Sequence, residues 1–260
     1  MNEKFGGPLI KTNRGNKLYS KTAKQEDLVE TIVDNQITVC HGPAGTGKTF
    51  VTTCMAVGAL MEGIVDKIII TRPAVQAGED LGFLPGDIDA KLNPYLKPIY
   101  DILDLVYPKP KSETTHHNSG KKKSRVKVTK TENTQNINMP DWSDKIEIVP
   151  FAFMRGRTFH NCFIIADECQ NATKEQLRMI MTRIGMNSKM VIDGDVKQTD
   201  IGHNNGLKYL IKQLEQKPIE DISLIEFEKK DIVRNKIIND IESIFESDHY
   251  KDNPDVVSNH

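Results

Sequence analysis

Along the chain, short β-branched runs alternate with longer segments of helical spacing. Residues 37–41 (ITVCH) form a compact apolar run that stops at a glycine, the mark of a buried strand. Residues 48–61 (KTFVTTCMAVGALM) read as a helix ending near Gly63. Residues 67–71 (KIIIT) carry three consecutive isoleucines, as expected of a parallel strand covered on both faces. The same pattern predicts strands at 145–149, 162–166, 189–193 and 223–227. It predicts helices around 27–33, 88–106, 173–184, 205–215 and 231–246, the second interrupted at Pro94 and Pro98. Strands that alternate with helices define an α/β fold, a mostly parallel sheet flanked by helices.

One stretch breaks the pattern. Residues 108–130 hold eight Lys/Arg, one Glu and no Leu, Ile or Phe, too little apolar surface to order the segment. The chain as a whole carries −1, so a segment of +7 leaves about −8 elsewhere and the charge is unevenly placed. The organisation expected is a lead-in over 1–24, one domain over 25–246 with a basic disordered insertion at 108–140, and a polar tail over 247–260. The insertion reads either as a solvated loop or as an arm that holds RNA by counterion release.

Composition narrows the class without naming a chemistry. The chain has 260 residues, 38% hydrophobic and 27% charged, which fits an ordinary globular protein and excludes collagen-like, mucin-like and wholly disordered chains. The near-zero net charge excludes a uniformly basic nucleic-acid coat but not a basic stripe. No apolar run approaches transmembrane length, and the first residues hold no signal-peptide core, so no membrane is expected. Cys40, Cys54, Cys162 and Cys169 form no CxxC pair. They read as reduced thiols of a cytoplasmic protein.

The chemistry enters at residues 42–49, Gly42-Pro43-Ala44-Gly45-Thr46-Gly47-Lys48-Thr49. This is G-x-x-x-x-G-K-[ST] between a predicted strand and a predicted helix, the context a phosphate-binding loop requires. The glycines let backbone N–H groups turn toward phosphate oxygens, and the helix start, including Phe50, adds partial positive charge. Lys48 suits the β- and γ-phosphates of ATP, and the Thr49 hydroxyl suits Mg²⁺.

Such a loop needs an acid on a neighbouring strand. Residues 163–166 (FIIA) end in Asp167-Glu168, at the carboxyl end of a strand where α/β sites lie. Asp167 is the expected metal residue and Glu168 the group that polarises the attacking water. Asp193-Gly-Asp195-x-x-Gln198 follows the next strand, either as an Asp/Gly turn or as a contact to the γ-phosphate. Gln198 is the favoured sensor because an amide both donates and accepts.

Several blocks together resemble the PhoH family of P-loop ATPases: GPAGTGKT (42–49), ITRPAVQAGEDLGFLPGD (70–87), NPYLKPIYD (93–101), FMRGRTF (153–159), FIIADECQNAT (163–173), TRIGMNSK (182–189) and DGDVKQTD (193–200). With the block from Asp231 to Arg234 they span most of 25–240. The resemblance implies a RecA-like P-loop NTPase core, similar to the first motor domain of superfamily 1 helicases, and the length suggests the family's short form. It lends Gln25 an adenine-reading role, with a surface glutamine as the alternative. The pattern Asp-Glu-x-Gln appears as 167–170 with Cys169 where the family more often has alanine, a small apolar exchange. Arg72, Arg155 and Arg157 become candidates for nucleic-acid phosphates, with structural ion pairs or a neighbour's nucleotide as alternatives.

Helicases of that superfamily supply an arginine finger from a second motor domain, and 260 residues leave no room for one. The finger must come from this domain or from another subunit, with Arg183 and Arg234 as candidates. The second route implies a homo-oligomer, and the family suggests a hexamer. The expected function is Mg²⁺-dependent ATP hydrolysis, coupled to single-stranded RNA binding or remodelling as the resemblance suggests. A nucleic-acid-independent ATPase switch and RNA cleavage are the alternatives; the sequence offers no separate site for cleavage.

Overall fold

The computed structural model describes residues 5–12, 15–73, 88–107, 144–201, 205–233 and 237–238. Among the described residues, eight strands and five α-helices follow in the order β1 (Phe5–Lys11), β2 (Lys17–Ser20), α1 (Ala23–Asp34), β3 (Ile37–His41), α2 (Lys48–Met61), β4 (Lys67–Thr71), α3 (Ile88–Val106), β5 (Ile146–Ile148), β6 (Cys162–Ala166), α4 (Lys174–Met181), β7 (Lys189–Gly194), α5 (Gly206–Gln216) and β8 (Ile222–Glu226). Six strands make one sheet in the order β5-β4-β6-β7-β3-β8, every pairing parallel. The phosphate-loop strand β3 and the acid strand β6 flank β7, so both end on the same edge of the sheet. This is the RecA-like arrangement the sequence implied.

The isoleucine run shows why the sheet is buried on both faces. Side chains alternate along a strand. Ile68 and Ile70 therefore join Phe163, Ile165, Val191 and Ile225 in one core layer with α1, α2 and α3. Ile69 joins Val39, Ile164, Met190 and Ile192 in the other, with α4 and α5. Each of these side chains is buried to within a few per cent of full exclusion from water.

The structure adds to the pattern in one place and corrects it in another. The lead-in over 1–24 carries a hairpin that the pattern did not predict: β1 and β2 pair antiparallel, with Ile10 opposite Leu18. Its turn is closed by Thr12, whose N–H donates to the Asn16 carbonyl (2.7 Å) and whose carbonyl accepts from Gly15 (2.8 Å), with Gly15 at φ +83°. Ile10 is buried in the first core layer. The glycines and proline of FGGPLIK masked that strand in the pattern.

The correction is at Pro94 and Pro98, where α3 runs unbroken through both. Ile99, Leu103 and Val106 are fully buried on one side of it while Pro98 is exposed. Burial of that apolar stripe offsets the roughly 3 kcal/mol a proline costs in a helix interior.

The basic insertion at 108–140, the tail at 247–260 and most of the 231–246 helix lie outside the described residues. No helix among the described residues is long and apolar enough to cross a membrane. All four cysteines are buried and free, with the Cys40 and Cys169 thiols pushed well above their ordinary value by burial.

Candidate functional site

The P-loop forms because three glycines take conformations that residues with a side chain rarely adopt. Gly42, Gly45 and Gly47 have φ of +137°, +79° and +88°. A Cβ on Gly42 would run into the Phe227 carbonyl and sit 2.8 Å from its Cβ. The end of β8 is held there by the Phe227 N–H on the His41 carbonyl (2.8 Å). Val233 N–H donates to the Gly45 carbonyl (3.0 Å), so the segment after β8 rests on the loop. Arg234 itself lies outside the described residues.

Gln25 is buried, 3% exposed, which overturns the surface-glutamine alternative. Its amide donates to the Thr46 carbonyl (2.9 Å) and accepts from Lys21 N–H (2.7 Å), bracing the P-loop from the start of α1. Thr46 donates to the Pro43 carbonyl (3.0 Å). Ala44 lies half-buried in the loop, and Phe50 packs into the first core layer. No side chain caps α2, so its first N–H groups are left for an anion.

Lys48 is buried, and its ammonium donates to the carbonyls of Gly42 (2.9 Å) and Pro43 (3.0 Å). The next residue closes the site. Thr49 Oγ1 lies 3.3 Å from Asp167 Oδ1 and 3.3 Å from Asp193 Oδ2. The sequence reading put Asp193 in a turn or at the γ-phosphate and gave it no metal role. Strand register supplies what the letters lacked: Ala166 pairs with Ile192, so the following acids stand side by side on adjacent strands. Burial and then the neighbouring Asp167 push the Asp193 carboxyl well above the usual carboxylate range. These hard oxygens, one hydroxyl and two carboxylates, fit Mg²⁺.

Glu168 is exposed and takes a left-handed backbone, φ +56°, as the chain leaves the strand. Positive φ in a side-chain-bearing residue concentrates at working sites. Gln170, given no role of its own in the sequence reading, is 3% exposed. It donates to Glu168 Oε2 (2.6 Å) and accepts from Asp195 N–H (3.1 Å). Cys169 is fully buried with its thiol donating to the Ala166 carbonyl (3.1 Å), consistent with a neutral exchange for alanine.

Gln198 is exposed and its side chain makes no hydrogen bond among the described residues. The loop that carries it is pinned by Thr199 donating to the Gln170 carbonyl (3.0 Å) and by Asn171 with Asp200 (3.1 and 2.9 Å).

The arginines separate. Arg72, after β4, makes an ion pair with Asp167 Oδ2, its Nε at 2.9 Å. Arg157 makes a two-pronged pair with Glu147 (2.6 and 3.0 Å) on the edge strand β5 and lies over the Phe159 ring. That pair holds the Glu147 carboxyl below its ordinary value. Arg155 is exposed and unpaired among the described residues. Arg183 is not brought to its own P-loop. Phe159 N–H donates to the Arg183 carbonyl, and Phe159 bridges Ile184, just before β6 and β7 begin, at the far end of the sheet. Its guanidinium bonds to the carbonyls of Met179 and Arg157 and to Thr182. Within TRPAVQAGED, residues 74–80 lie outside the described residues.

The glycine-rich loop, its lysine and threonine, and an acid at the end of the second strand over define a P-loop NTPase site. The PhoH-like protein family matches residues 17–246, and the chain belongs to it. The chain is 38% identical over 241 residues to a PhoH-like protein of Synechocystis sp. (strain PCC 6803), covering 92% of this chain and 65% of that one. It is 40% identical over 232 residues to a PhoH-like protein of Bacillus subtilis (strain 168), covering 88% and 64%. It thus spans under two thirds of these relatives' lengths. Among solved structures, the large terminase of a thermophilic bacteriophage aligns with 85% of this chain and 49% of its own, at 14% identity and a TM-score of 0.44.

Proposed function

We propose that this chain hydrolyses ATP with Mg²⁺ and couples hydrolysis to single-stranded RNA binding or remodelling in the cytoplasm. The observation that carries the ATPase reading is the meeting of P-loop and acid strand, with Thr49 Oγ1 at 3.3 Å from Asp167 Oδ1. Lys48 is the cation for the β- and γ-phosphates, and the loop N–H groups orient them. Thr49 and Asp167 hold Mg²⁺, which neutralises developing charge on the phosphates when bound. Glu168 draws the proton of the attacking water, with Gln170 fixing its carboxylate. Gln198 contacts the γ-phosphate. Gln25 serves adenine recognition only through the amide hydrogens and lone pairs not already committed to Thr46 and Lys21.

RNA coupling rests on the family resemblance and on Arg155, the exposed arginine of the MRGRT block. A homo-oligomer, hexameric as the family suggests, is supported by Arg183, which faces away from its own P-loop and serves as a finger only on a neighbour. A finger supplied in trans is worth roughly 10³–10⁵ in rate. A second reading is a nucleic-acid-independent ATPase switch. It is favoured by the pairing of Arg72 and Arg157 with protein carboxylates. Steady-state hydrolysis with and without single-stranded RNA, with single-stranded DNA as control, tells them apart. RNA stimulation supports the first reading, and a real but unchanged rate supports the second.

A further inference from the structure

Ordinary P-loop sites hold their cation with one hydroxyl, one acid and the nucleotide's own oxygens. Here a second carboxylate stands in the same place. Asp167 and Asp193 are 1% and 3% exposed, side by side at the ends of β6 and β7. The Thr49 hydroxyl reaches both at 3.3 Å but has one proton to give. Asp167 has further partners: Glu168 N–H on Oδ1 (3.1 Å) and Arg72 on Oδ2. Asp193 hydrogen-bonds to Thr49 and Asp167 among the described residues, with the Lys48 ammonium near enough to favour its charged form. Lys48 is committed to the carbonyls of Gly42 and Pro43. Arg72 pairs directly with Asp167, while the Lys48 ammonium acts on Asp193 only across space, its own bonds going to the loop carbonyls. Buried carboxylates are retained where they are paired or coordinate a metal. Three hard oxygens from α2, β6 and β7, rigidly backed by the sheet, are a donor set for Mg²⁺ or Mn²⁺.

We infer that Asp193 is a second carboxylate of the cation site, so that Thr49, Asp167 and Asp193 together take up one divalent cation without nucleotide. Arg72 is its competitor, because the guanidinium holds Asp167 Oδ2 in the cation-free protein. The inference rests on the P-loop reading for the roles of Thr49 and Asp167. It goes further in making cation uptake independent of ATP and in giving Arg72 a place that it must vacate for the cation.

The test is a titration of the nucleotide-free full chain with Mn²⁺, following free Mn²⁺ by electron paramagnetic resonance. One bound ion is expected. Asp193→Asn, similar in shape but uncharged, weakens it by about tenfold or more, the scale of a lost metal partner. Arg72→Gln tightens it. Circular dichroism checks that the variants fold, and Asp193→Ser stands in if the Asn form does not. Mn²⁺ held equally by wild type and Asp193→Asn, or no uptake by the wild type without nucleotide, overturns the inference. Unchanged or weaker uptake by Arg72→Gln overturns the role given to Arg72. A fluorescent ATP analogue titrated into the wild type with and without Mg²⁺ reports the P-loop. Its failure to bind under both conditions refutes the ATPase reading, whatever Mn²⁺ does.

Discussion

Gln170 spans the two strands that end at the site: its amide nitrogen donates to the Glu168 carboxylate at 2.6 Å, and its amide oxygen accepts from Asp195 N–H at 3.1 Å. The contact is tight, since a Cβ on Gly194 would stand 2.5 Å from that oxygen. The amide thus fixes the group proposed as the water-activating base relative to the loop bearing Gln198. Replacing Gln170 by Ala should lower kcat by about 10²-fold, the cost of misplacing a reacting group by an ångström. ATP affinity should stay within a few-fold, because the P-loop is untouched. A change confined to KM would remove Gln170 from the positioning of Glu168.

Lys48→Ala should abolish nucleotide binding, read by equilibrium titration with a fluorescent ATP analogue. The backbone of Gly42 and Pro43 holds the Lys48 ammonium at the mouth of the loop, where the phosphates enter. Binding within a few-fold of wild type would show that the loop N–H groups alone suffice.

Gly42→Ala should unfold the loop entrance. At φ +137° an alanine is strained, and its methyl meets the Phe227 carbonyl. The two effects together should cost at least about 2 kcal/mol in a denaturant titration. A stability equal to wild type would mean that β8 is not seated on the loop as described.

His41 gives the fold a pH dependence. It is buried beside the P-loop, and burial lowers its pKa below 6.5, opposed by Glu226, Glu215 and Asp195 and reinforced by Lys48. A folded value below the unfolded one means that the unfolded chain binds the proton first. Stability is therefore full above the unfolded value and falls as pH drops through it. The thermal midpoint should decline from pH 7 toward pH 5, and His41→Gln should flatten that decline. Equal slopes for the two proteins would assign the effect elsewhere.

Arg155 and Arg157 should part company. Arg157→Ala removes an exposed pair with Glu147 and should cost no more than about 1 kcal/mol of stability. Arg155→Ala should leave stability alone, weaken single-stranded RNA binding and reduce the salt slope by about one. The opposite pattern in a salt-dependent binding titration would make Arg157 the phosphate contact.

The sheet and the site were unequally legible. Strands 37–41, 67–71 and 162–166 were readable to the residue, because burial on both faces demands unbroken β-branched runs. The P-loop was readable because its backbone demands glycines at fixed spacing. The hairpin of Phe5–Lys11 with Lys17–Ser20 was not, since its strand opens on Gly6, Gly7 and Pro8 and is held by pairing across the turn. The helix through Pro94 and Pro98 survives by burying Ile99, Leu103 and Val106, a tertiary effect invisible to local propensity. Asp193 and Gln170 were visible as letters, but their roles depend on strand register and on an amide's two ends. Arg72 and Asp167 are 95 positions apart, so only the fold reveals their pairing.

The central claim, that Lys48, Thr49, Asp167 and Glu168 form a working ATPase site, is tested most directly by phosphate release. Wild type and Glu168→Gln are compared with MgATP, in the presence of single-stranded RNA and at a concentration that permits assembly. The account predicts turnover by the wild type that EDTA abolishes. It predicts a Glu168→Gln protein that binds ATP yet turns over roughly 10²–10⁴-fold more slowly. Turnover retained in Glu168→Gln would show that another group activates the water. No turnover by the wild type under these conditions would contradict the ATPase reading itself.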